Sequence, residues 1–112
     1  MPARYVPERG DIIWLTFDPQ AGHEQAGRRP ALVLSPKLYN AKAGLALICP
    51  ITSQQKGYPF EVVLPTQRIG GVILADQVCS LDWSARRAEK AGRALDETVQ
   101  EVLAKIAALL QL

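Results

Sequence analysis

The chain contains 112 residues, 48% of them hydrophobic, and this size predicts a single domain over residues 1–112 with a packed core. A chain of this length folds without a disulfide framework, and Cys49, Cys79 and the only histidine, His23, are too few to form a metal site. We therefore expect no metal and no other cofactor. The net charge of +2 does not by itself indicate nucleic acid as a partner.

The first half of the chain predicts strands separated by turns. Residues 11–17 are a β-branched and aromatic run, predicted to form a strand, and residues 18–27 a loop that contains Pro and Gly. Residues 30–34 are apolar enough for a central strand, and residues 36–42 are predicted to make one short helical turn.

A third strand is predicted over residues 45–51. Proline tolerates only an edge or bulge position in a sheet, so we expect the chain to bend at Pro50. Shorter strands are predicted at residues 60–64, 72–75 and 78–81.

The last part of the chain predicts an amphipathic helix. Asp96 is the predicted N-cap, and Glu97 suits the positive end of the helix dipole. Apolar residues then follow at helical spacing: Val99, Val102, Leu103, Ile106, Leu109 and Leu110. Strands followed by one helix predict an α+β domain with a small curled sheet or barrel.

Membrane and secretory segments are not expected. The first 10 residues lack the apolar core of a signal peptide, and no apolar run approaches the ~18 residues of a membrane span. We therefore expect a soluble, cytoplasmic protein that does not bind a membrane.

Basic residues concentrate at three places in the sequence. Residues 84–94 carry four Lys or Arg side chains against one Glu, Arg28 and Arg29 are adjacent, and Lys56 stands alone. A fold that gathers these residues on one side forms an anion-binding surface.

The motifs that the chain lacks restrict its chemistry. It has no Gly-rich phosphate loop, no His/Glu metal spacing and no Ser nucleophile elbow. A ribonuclease mechanism with two histidines is excluded because His23 is the only one. Catalysis would therefore depend on Arg, carboxylates, hydroxyls and at most one histidine.

Three segments resemble, in order, the motifs of the MazF (PemK-like) toxin family. Residues 22–36 read GHEQAGRRPALVLSP: a loop with Glu-Gln, then Gly, a basic residue and an Arg-Pro that opens a strand. Residues 49–65 resemble the second motif, as CPITSQQKGYPFEVVLP, and residues 71–83 the third, as GVILADQVCSLDW. The resemblance extends from about Tyr5 to the terminal helix.

The resemblance implies a fold, an activity and two kinds of partner. The fold would be an SH3-like curled antiparallel sheet or barrel with a C-terminal helix, assembled as a homodimer. The activity would be sequence-specific, metal-independent cleavage of single-stranded RNA, which inhibits translation. The 2′-hydroxyl would attack the adjacent phosphorus and leave 2′,3′-cyclic phosphate and 5′-hydroxyl ends. A MazE-like antitoxin would block the RNA groove with its acidic disordered tail.

The resemblance also implies the residues that do this chemistry. By position, Arg29, Thr52 and Glu24 match the catalytic residues. Three residues match family positions near bound RNA: Lys56, Asp76 and Gln77. We add four residues as further RNA contacts: Arg28, Ser53, Tyr58 and Arg86.

The physical chemistry of in-line attack agrees with this assignment. Negative charge grows on the non-bridging oxygens, where the Arg29 guanidinium would bind bidentately and the Thr52 hydroxyl would add a hydrogen bond. Arginine is a poor base because its pKa exceeds ~12, so Glu24 is the candidate base for the 2′-hydroxyl proton. Structural roles stay open for the same side chains: an ion pair for Arg29, a turn cap for Thr52 and a solvated carboxylate for Glu24.

Two other functions remain open at this point. A toxin family that poisons DNA gyrase resembles the same fold and needs no catalytic residues, and a non-catalytic subunit would bind RNA without cutting it. The constellation of Arg29, Thr52 and Glu24 favours cleavage.

Several apolar residues exceed what so small a core holds, and we expect some of them at a subunit interface. They are Trp14, Leu15, Leu109, Leu110 and Leu112.

Overall fold

The computed structural model describes residues 4–17, 27–65 and 69–111, and within these ranges the strands form one seven-stranded antiparallel sheet. The strands are β1 (Asp11–Phe17), β2 (Gly27–Val33), β3 (Ala46–Thr52), β4 (Glu61–Val63), β5 (Val72–Leu74), β6 (Cys79–Leu81) and β7 (Glu89–Arg93). The helices are α1 (Lys37–Ala43), between β2 and β3, and α2 (Asp96–Leu110), at the end; a 3₁₀ turn (Ala75–Gln77) follows β5. The strand order is β4-β5-β3-β2-β1-β7, and β6 also pairs with β3.

Strand β3 curls the sheet because it changes partner along its length. One edge pairs with β2, while the other pairs first with β6 and then, from Ile51, with β5. Pro50 lies between these two ladders and is paired with Ala31 of β2, so it occupies an interior strand. The missing N–H of Pro50 is tolerated there because the ladder on that side is interrupted at the same place.

The predicted α+β fold, a curled antiparallel sheet with a C-terminal helix, is confirmed. The six predicted strands and the short helix after the second strand are all present, with ends that shift by a few residues. The largest shift is in β2, which begins at Gly27 and so includes both Arg28 and Arg29.

Strand β7 was missed by the sequence analysis. Its sequence, EKAGR, has charged residues and Gly in place of the β-branched residues that identify a strand. It pairs with β1 at the margin of the sheet, with a register shift between Ile12 and Ile13. Pairing with a long neighbour therefore imposes the strand conformation that local propensity does not favour.

The prediction of Asp96 as the helix N-cap was wrong. Leu95 occupies the N-cap position in an extended conformation, without a side-chain capping bond, and Asp96 is the first helical residue. Asp96 and Glu97 nevertheless lie in the first turn, where carboxylates favour the positive end of the dipole.

Apolar residues cover both faces of the sheet. The first cluster lies under α2 and includes Leu32, Ile51, Val99 and Val102, all 3% exposed or less. The second cluster, on the opposite face, packs Ile13, Leu15, Ala31, Val33, Ala46 and Ile48 around Trp83. Leu15 is fully buried in the second cluster, so it is not among the apolar residues that remain available for a subunit interface.

Two further details complete the fold. Asn40 of α1 is fully buried, and its amide donates to the carbonyls of Pro7 and Ser35, which ties the N-terminal segment to α1. Among the described residues, no helix has the length and apolarity to cross a membrane.

Candidate functional site

The adjacent arginines of β2 project to opposite faces of the sheet. Side chains alternate along a strand, and Ala31 and Val33 belong to the second cluster while Leu32 belongs to the first. By this alternation Arg29 lies on the face of the second cluster and Arg28 on the face covered by α2. Two consecutive basic residues therefore occupy different environments.

Arg29 and Thr52 lie at neighbouring strand ends. The register between β2 and β3 pairs Ala31 with Pro50 and Leu32 with Cys49. This pairing ends at Ala31 and Pro50, and Arg29 and Thr52 each lie two residues beyond that last pair. Arg29 alternates with Ala31 and Val33, and Thr52 with Ile48 and Pro50, so both side chains lie on the face of the second cluster.

A cavity of about 300 Å³ adjoins Thr52. Thr52, the loop between β3 and β4, the strands β4 and β5 and the 3₁₀ turn form its walls. Its lining residues are Thr52, Gln54, Lys56, Tyr58, Glu61, Leu74, Asp76 and Gln77. Five of these, Thr52, Lys56, Tyr58, Asp76 and Gln77, were predicted from the sequence as site residues.

The cavity has mixed polarity. Lys56 contributes a positive charge, Glu61 and Asp76 contribute negative charges, and Leu74 and Tyr58 contribute apolar surface. Tyr58 is 54% exposed, which leaves its ring accessible to a planar ligand. This mixture suits a neutral group with hydrogen-bond donors and acceptors better than it suits a phosphate.

The Thr52 hydroxyl is oriented by its own loop. Its Oγ1 accepts the backbone N–H of Gln54 at 3.2 Å. The sequence analysis had left such a turn-capping role open as an alternative to catalysis. The two roles are compatible, because the bond uses an oxygen lone pair and leaves the hydroxyl hydrogen to donate.

Arg28 is engaged within the chain. Its guanidinium donates to Thr16 Oγ1 at 2.7 Å, to the Arg87 carbonyl at 2.7 Å and to the Trp14 carbonyl at 3.3 Å. It also lies 3.6 Å from a carboxylate oxygen of Glu89. The predicted RNA-binding residue therefore fastens β1 and β2 to the segment before β7.

Arg86, also predicted to bind RNA, lies on the face of Arg29. Its guanidinium is 5.7 Å from the centre of the Phe17 ring and donates to the Thr16 carbonyl at 3.3 Å. Phe17 packs against the second cluster, which fixes the face. Arg86 thus adds positive charge on the side of the sheet that carries Arg29.

The remaining predicted site residues are Ser53 and Glu24. Ser53 is exposed in the loop after β3 and does not line the cavity. The predicted base Glu24, together with His23, lies outside the described residues. Among the residues that are described, no group of three or more His, Cys, Asp or Glu side chains is arranged to hold a metal ion.

Glu61 was not among the predicted site residues, although it lines the cavity. Its carboxylate accepts hydrogen bonds from three consecutive backbone amides of the loop. In the sequence it stands at the start of a weakly alternating strand, and only its position inside the second motif pointed towards the site.

Among the described residues, the titratable groups with shifted pKa values are not lining residues of the cavity. Burial, and then a hydrogen bond to Asp11, raises the pKa of Tyr5. Burial raises the pKa of Cys49 to about 12 and also raises that of Cys79. Asp11 is 1% exposed, and it accepts hydrogen bonds from the Tyr5 hydroxyl at 2.6 Å and from Arg93 at 2.8 Å.

Comparison with known proteins gives consistent matches over most of the chain. A family described as PemK-like, MazF-like toxin of type II toxin-antitoxin system matches residues 8–110. The endoribonuclease toxin MazF of Escherichia coli (strain K12) is 56% identical over 110 residues, which covers 98% of this chain and 99% of that protein. The endoribonuclease toxin ChpB of the same strain is 40% identical, and the match covers 93% of this chain and 94% of that protein.

Solved structures agree with the sequence matches. A crystal structure of MazE-MazF from Deinococcus radiodurans has a TM-score of 0.90 and 55% identity, covering 97% of this chain and 99% of that one. A crystal structure of MazF from the same organism has a TM-score of 0.89 and 55% identity, covering 97% and 100%.

Proposed function

The chain belongs to the PemK-like, MazF-like toxins of type II toxin–antitoxin systems, and on this premise we propose that it is an endoribonuclease that cuts single-stranded RNA at specific sequences. The observation that carries the proposal is the placement of Arg29 and Thr52 at neighbouring strand ends, beside a cavity of mixed polarity. The groups proposed to stabilise the growing charge are thereby adjacent to the cavity proposed to bind a base.

Arg29 is suited to bind the scissile phosphate. Its guanidinium makes no hydrogen bond or ion pair with any other side chain or carbonyl in the described ranges, unlike that of Arg28. A planar guanidinium binds two phosphate oxygens at once and keeps its charge at every working pH. In the proposed mechanism it stabilises the negative charge that grows on the non-bridging oxygens as the 2′-hydroxyl attacks.

Thr52 would complete the phosphate site. The N–H of Gln54 donates to the hydroxyl oxygen and fixes its position. The hydroxyl hydrogen is left to donate to a phosphate oxygen. A donor held in place before the reaction stabilises the transition state without a cost of reorganisation. The placement of Thr52 and Arg29 on one face lets one phosphate receive both groups.

The cavity would take an unstacked base next to that phosphate. Proteins recognise single-stranded RNA by stacking bases on aromatic rings and hydrogen-bonding their edges. The exposed ring of Tyr58 provides stacking, and Asp76 and Gln77 provide an acceptor and an amide for base edges. Lys56 is the cation on the same wall and would bind a flanking phosphate.

Proton transfer requires a base, and of the two carboxylates in the cavity we assign Asp76 to a base edge. Glu24 remains our candidate, because arginine does not give up its proton at working pH and Glu61 is engaged with loop amides. The 2′-hydroxyl would lose its proton to Glu24 as its oxygen bonds to phosphorus. The bond from phosphorus to the 5′-oxygen would break, and that oxygen would take a proton from a water molecule. The products would carry 2′,3′-cyclic phosphate and 5′-hydroxyl ends.

We extend the proposal to the partners. The Deinococcus radiodurans relative is named in a complex with MazE. For this chain we infer a MazE-like antitoxin with an acidic disordered tail that competes for the RNA surface. We also infer a cytoplasmic homodimer, supported by apolar side chains left exposed at Leu38, Leu45 and Leu47, of which Leu38 is 68% exposed.

Poisoning of DNA gyrase is the weaker alternative. It does not explain why an arginine and a hydroxyl are aligned at the strand ends beside a polar cavity. The most similar relatives named above are described as endoribonucleases, which also favours RNA cleavage.

One experiment separates these functions. The purified chain is incubated with a long RNA in EDTA, in parallel with the same sequence as DNA and as RNA with 2′-O-methyl groups. We expect discrete RNA fragments with 2′,3′-cyclic phosphate ends and intact DNA and 2′-O-methyl RNA, because the attacking group is the 2′-hydroxyl. Cleavage of 2′-O-methyl RNA would exclude this mechanism, and binding of RNA without any cutting would leave a non-catalytic RNA-binding protein.

A further inference from the structure

The loop between β3 and β4 carries three of the side chains that line the cavity, Gln54, Lys56 and Tyr58. Every residue from 53 to 59 is exposed, so the loop has little buried surface to define its shape. Exposed polar loops are ordinarily mobile unless hydrogen bonds hold them.

Glu61, the first residue of β4, supplies those hydrogen bonds. Its Oε1 accepts the backbone N–H groups of Gly57 at 3.0 Å and Tyr58 at 3.2 Å. Its Oε2 accepts the N–H of Lys56 at 3.0 Å, and Oε1 lies 3.2 Å from the same nitrogen. Three consecutive amides therefore converge on one carboxylate, and hydrogen bonds to a charged acceptor are stronger than neutral ones.

The backbone conformation of the loop makes this convergence possible. Gly57 has φ +75°, a left-handed conformation that side chains disfavour. A turn of this kind points successive N–H groups into one concave surface, which binds anions. Here the chain fills that surface with its own carboxylate.

A second contact holds the residue that follows these amides. The Lys105 ammonium on α2 donates to the Pro59 carbonyl at 2.7 Å. Residues 56–59 are therefore held both by β4 and by the C-terminal helix.

We propose that Glu61 is a positioning residue for RNA binding, which holds the backbone of residues 56–58 so that Lys56 and Tyr58 face the bound RNA before it arrives. The inference rests on the proposed endoribonuclease function. Glu61 acts through the loop and takes no proton, because both of its oxygens already accept amide hydrogens. Without Glu61, RNA binding would have to order the loop and both side chains, and affinity would fall by that cost.

The first test measures the loop without RNA. Hydrogen exchange is compared in the wild-type chain, Glu61→Ala and Glu61→Gln. We expect the amides of residues 56–58 to exchange at least ~10-fold faster in Glu61→Ala, while those of β1 and β2 are unchanged. Glu61→Gln keeps one acceptor oxygen and should be intermediate, so it serves if Glu61→Ala does not fold.

The second test measures cleavage of a short RNA that contains the cut site. We expect Glu61→Ala to raise KM about 10-fold and to change kcat less than about 3-fold, since the phosphate chemistry at the strand ends is intact. Glu101→Gln, which removes a carboxylate from the exposed side of α2, is the matched control and should change neither constant.

A double-mutant cycle then decides whether Glu61 acts through Lys56. Lys56→Ala should weaken binding of 2′-O-methyl RNA in the wild-type background and have a much smaller effect in the Glu61→Ala background. Equal effects in both backgrounds, or an unchanged KM in Glu61→Ala, would overturn the inference while leaving the proposed function intact. If the wild-type chain cuts no RNA, the proposed function fails, and the exchange experiment still reports on the loop.

Discussion

Replacing Arg28 and Arg29 one at a time separates stability from catalysis, because the two side chains lie on opposite faces of the sheet. Arg28→Ala removes the hydrogen bonds to Thr16 Oγ1 and to the carbonyls of Trp14 and Arg87. Arg29→Ala removes the cation that we place at the scissile phosphate. The two variants have the same change in charge and composition, so each is the control for the other.

The magnitudes follow from the contacts. A fully buried hydrogen bond to a charged group contributes about 1.5–3 kcal/mol, but the Arg28 side chain is 35% exposed and water partly replaces its partners. We therefore expect Arg28→Ala to lower the free energy of unfolding by about 1–2 kcal/mol in total. The ion pair with Glu89 adds little, since that carboxylate is 73% exposed.

Arg29→Ala should have the opposite profile. Its free energy of unfolding should change by less than ~0.5 kcal/mol, as for a half-buried residue whose side chain has no hydrogen-bond or ion-pair partner among the described residues. Its cleavage rate should fall by ~100-fold or more, the scale of losing one transition-state donor. Arg29→Lys should restore little of this rate, because an ammonium does not bind two oxygens in a plane.

Urea unfolding followed by circular dichroism gives the first quantity, and single-turnover cleavage of a short RNA gives the second. A folded Arg29→Ala variant that cuts at near the wild-type rate would refute the mechanism. A larger loss of cleavage in Arg28→Ala than in Arg29→Ala would refute the assignment of the two faces.

Three other changes have defined outcomes. Thr52→Val should lower single-turnover cleavage by ~10-fold or more and Thr52→Ser by much less, because serine keeps the hydroxyl; equal losses would remove the hydroxyl from the mechanism. Gly71→Ala should reduce the melting temperature and cleavage together, since Gly71 has φ +125° and an added Cβ would lie 2.2 Å from the Thr52 carbonyl oxygen. Gly70→Ala is the control, because an added Cβ there meets no atom of the described ranges within 4 Å. Stability should fall as pH rises above about 8.5, where the unfolded chain loses protons from cysteine and then tyrosine while the folded chain keeps them. The cause is the raised pKa of Tyr5 and of Cys49, the latter to about 12. Tyr5→Phe should therefore flatten the fall in urea-derived stability near pH 10. An unaltered slope in that variant would contradict the role of Tyr5.

The strands that the sequence predicted are those with apolar runs, because burial decides their conformation more than any other local signal. β7 escaped prediction because its strand conformation depends on pairing with β1 and not on its own residues. The N-cap was misplaced by one residue because an acidic residue suits the first helical turn as well as the cap itself.

The candidate site was predicted only in part, and the reason is physical. Motif resemblance identified Thr52, Lys56 and Asp76, which the fold brings to one cavity. It assigned Arg29 to catalysis and Arg28 to RNA contact. It did not predict that the two side chains lie on opposite faces, since that difference arises from strand alternation and β2 was predicted to begin only at residue 30. Glu61 was missed because its role is in hydrogen bonds to backbone amides, which leave no pattern of side chains in the sequence.

The residues proposed to act on the phosphate and those proposed to bind the RNA beside it lie on elements of different rigidity. Arg29 and Thr52 belong to β2 and β3, whose register is fixed by hydrophobic clusters on both faces, so their separation is insensitive to changes at the surface. Lys56 and Tyr58 belong to an exposed loop whose shape depends on a few hydrogen bonds from Glu61 and Lys105. Substitutions in that loop can therefore alter which base is bound without moving the groups that act on the phosphate. On this basis we propose that the strand ends set the chemistry of cleavage and that the loop sets the RNA sequence at which it occurs.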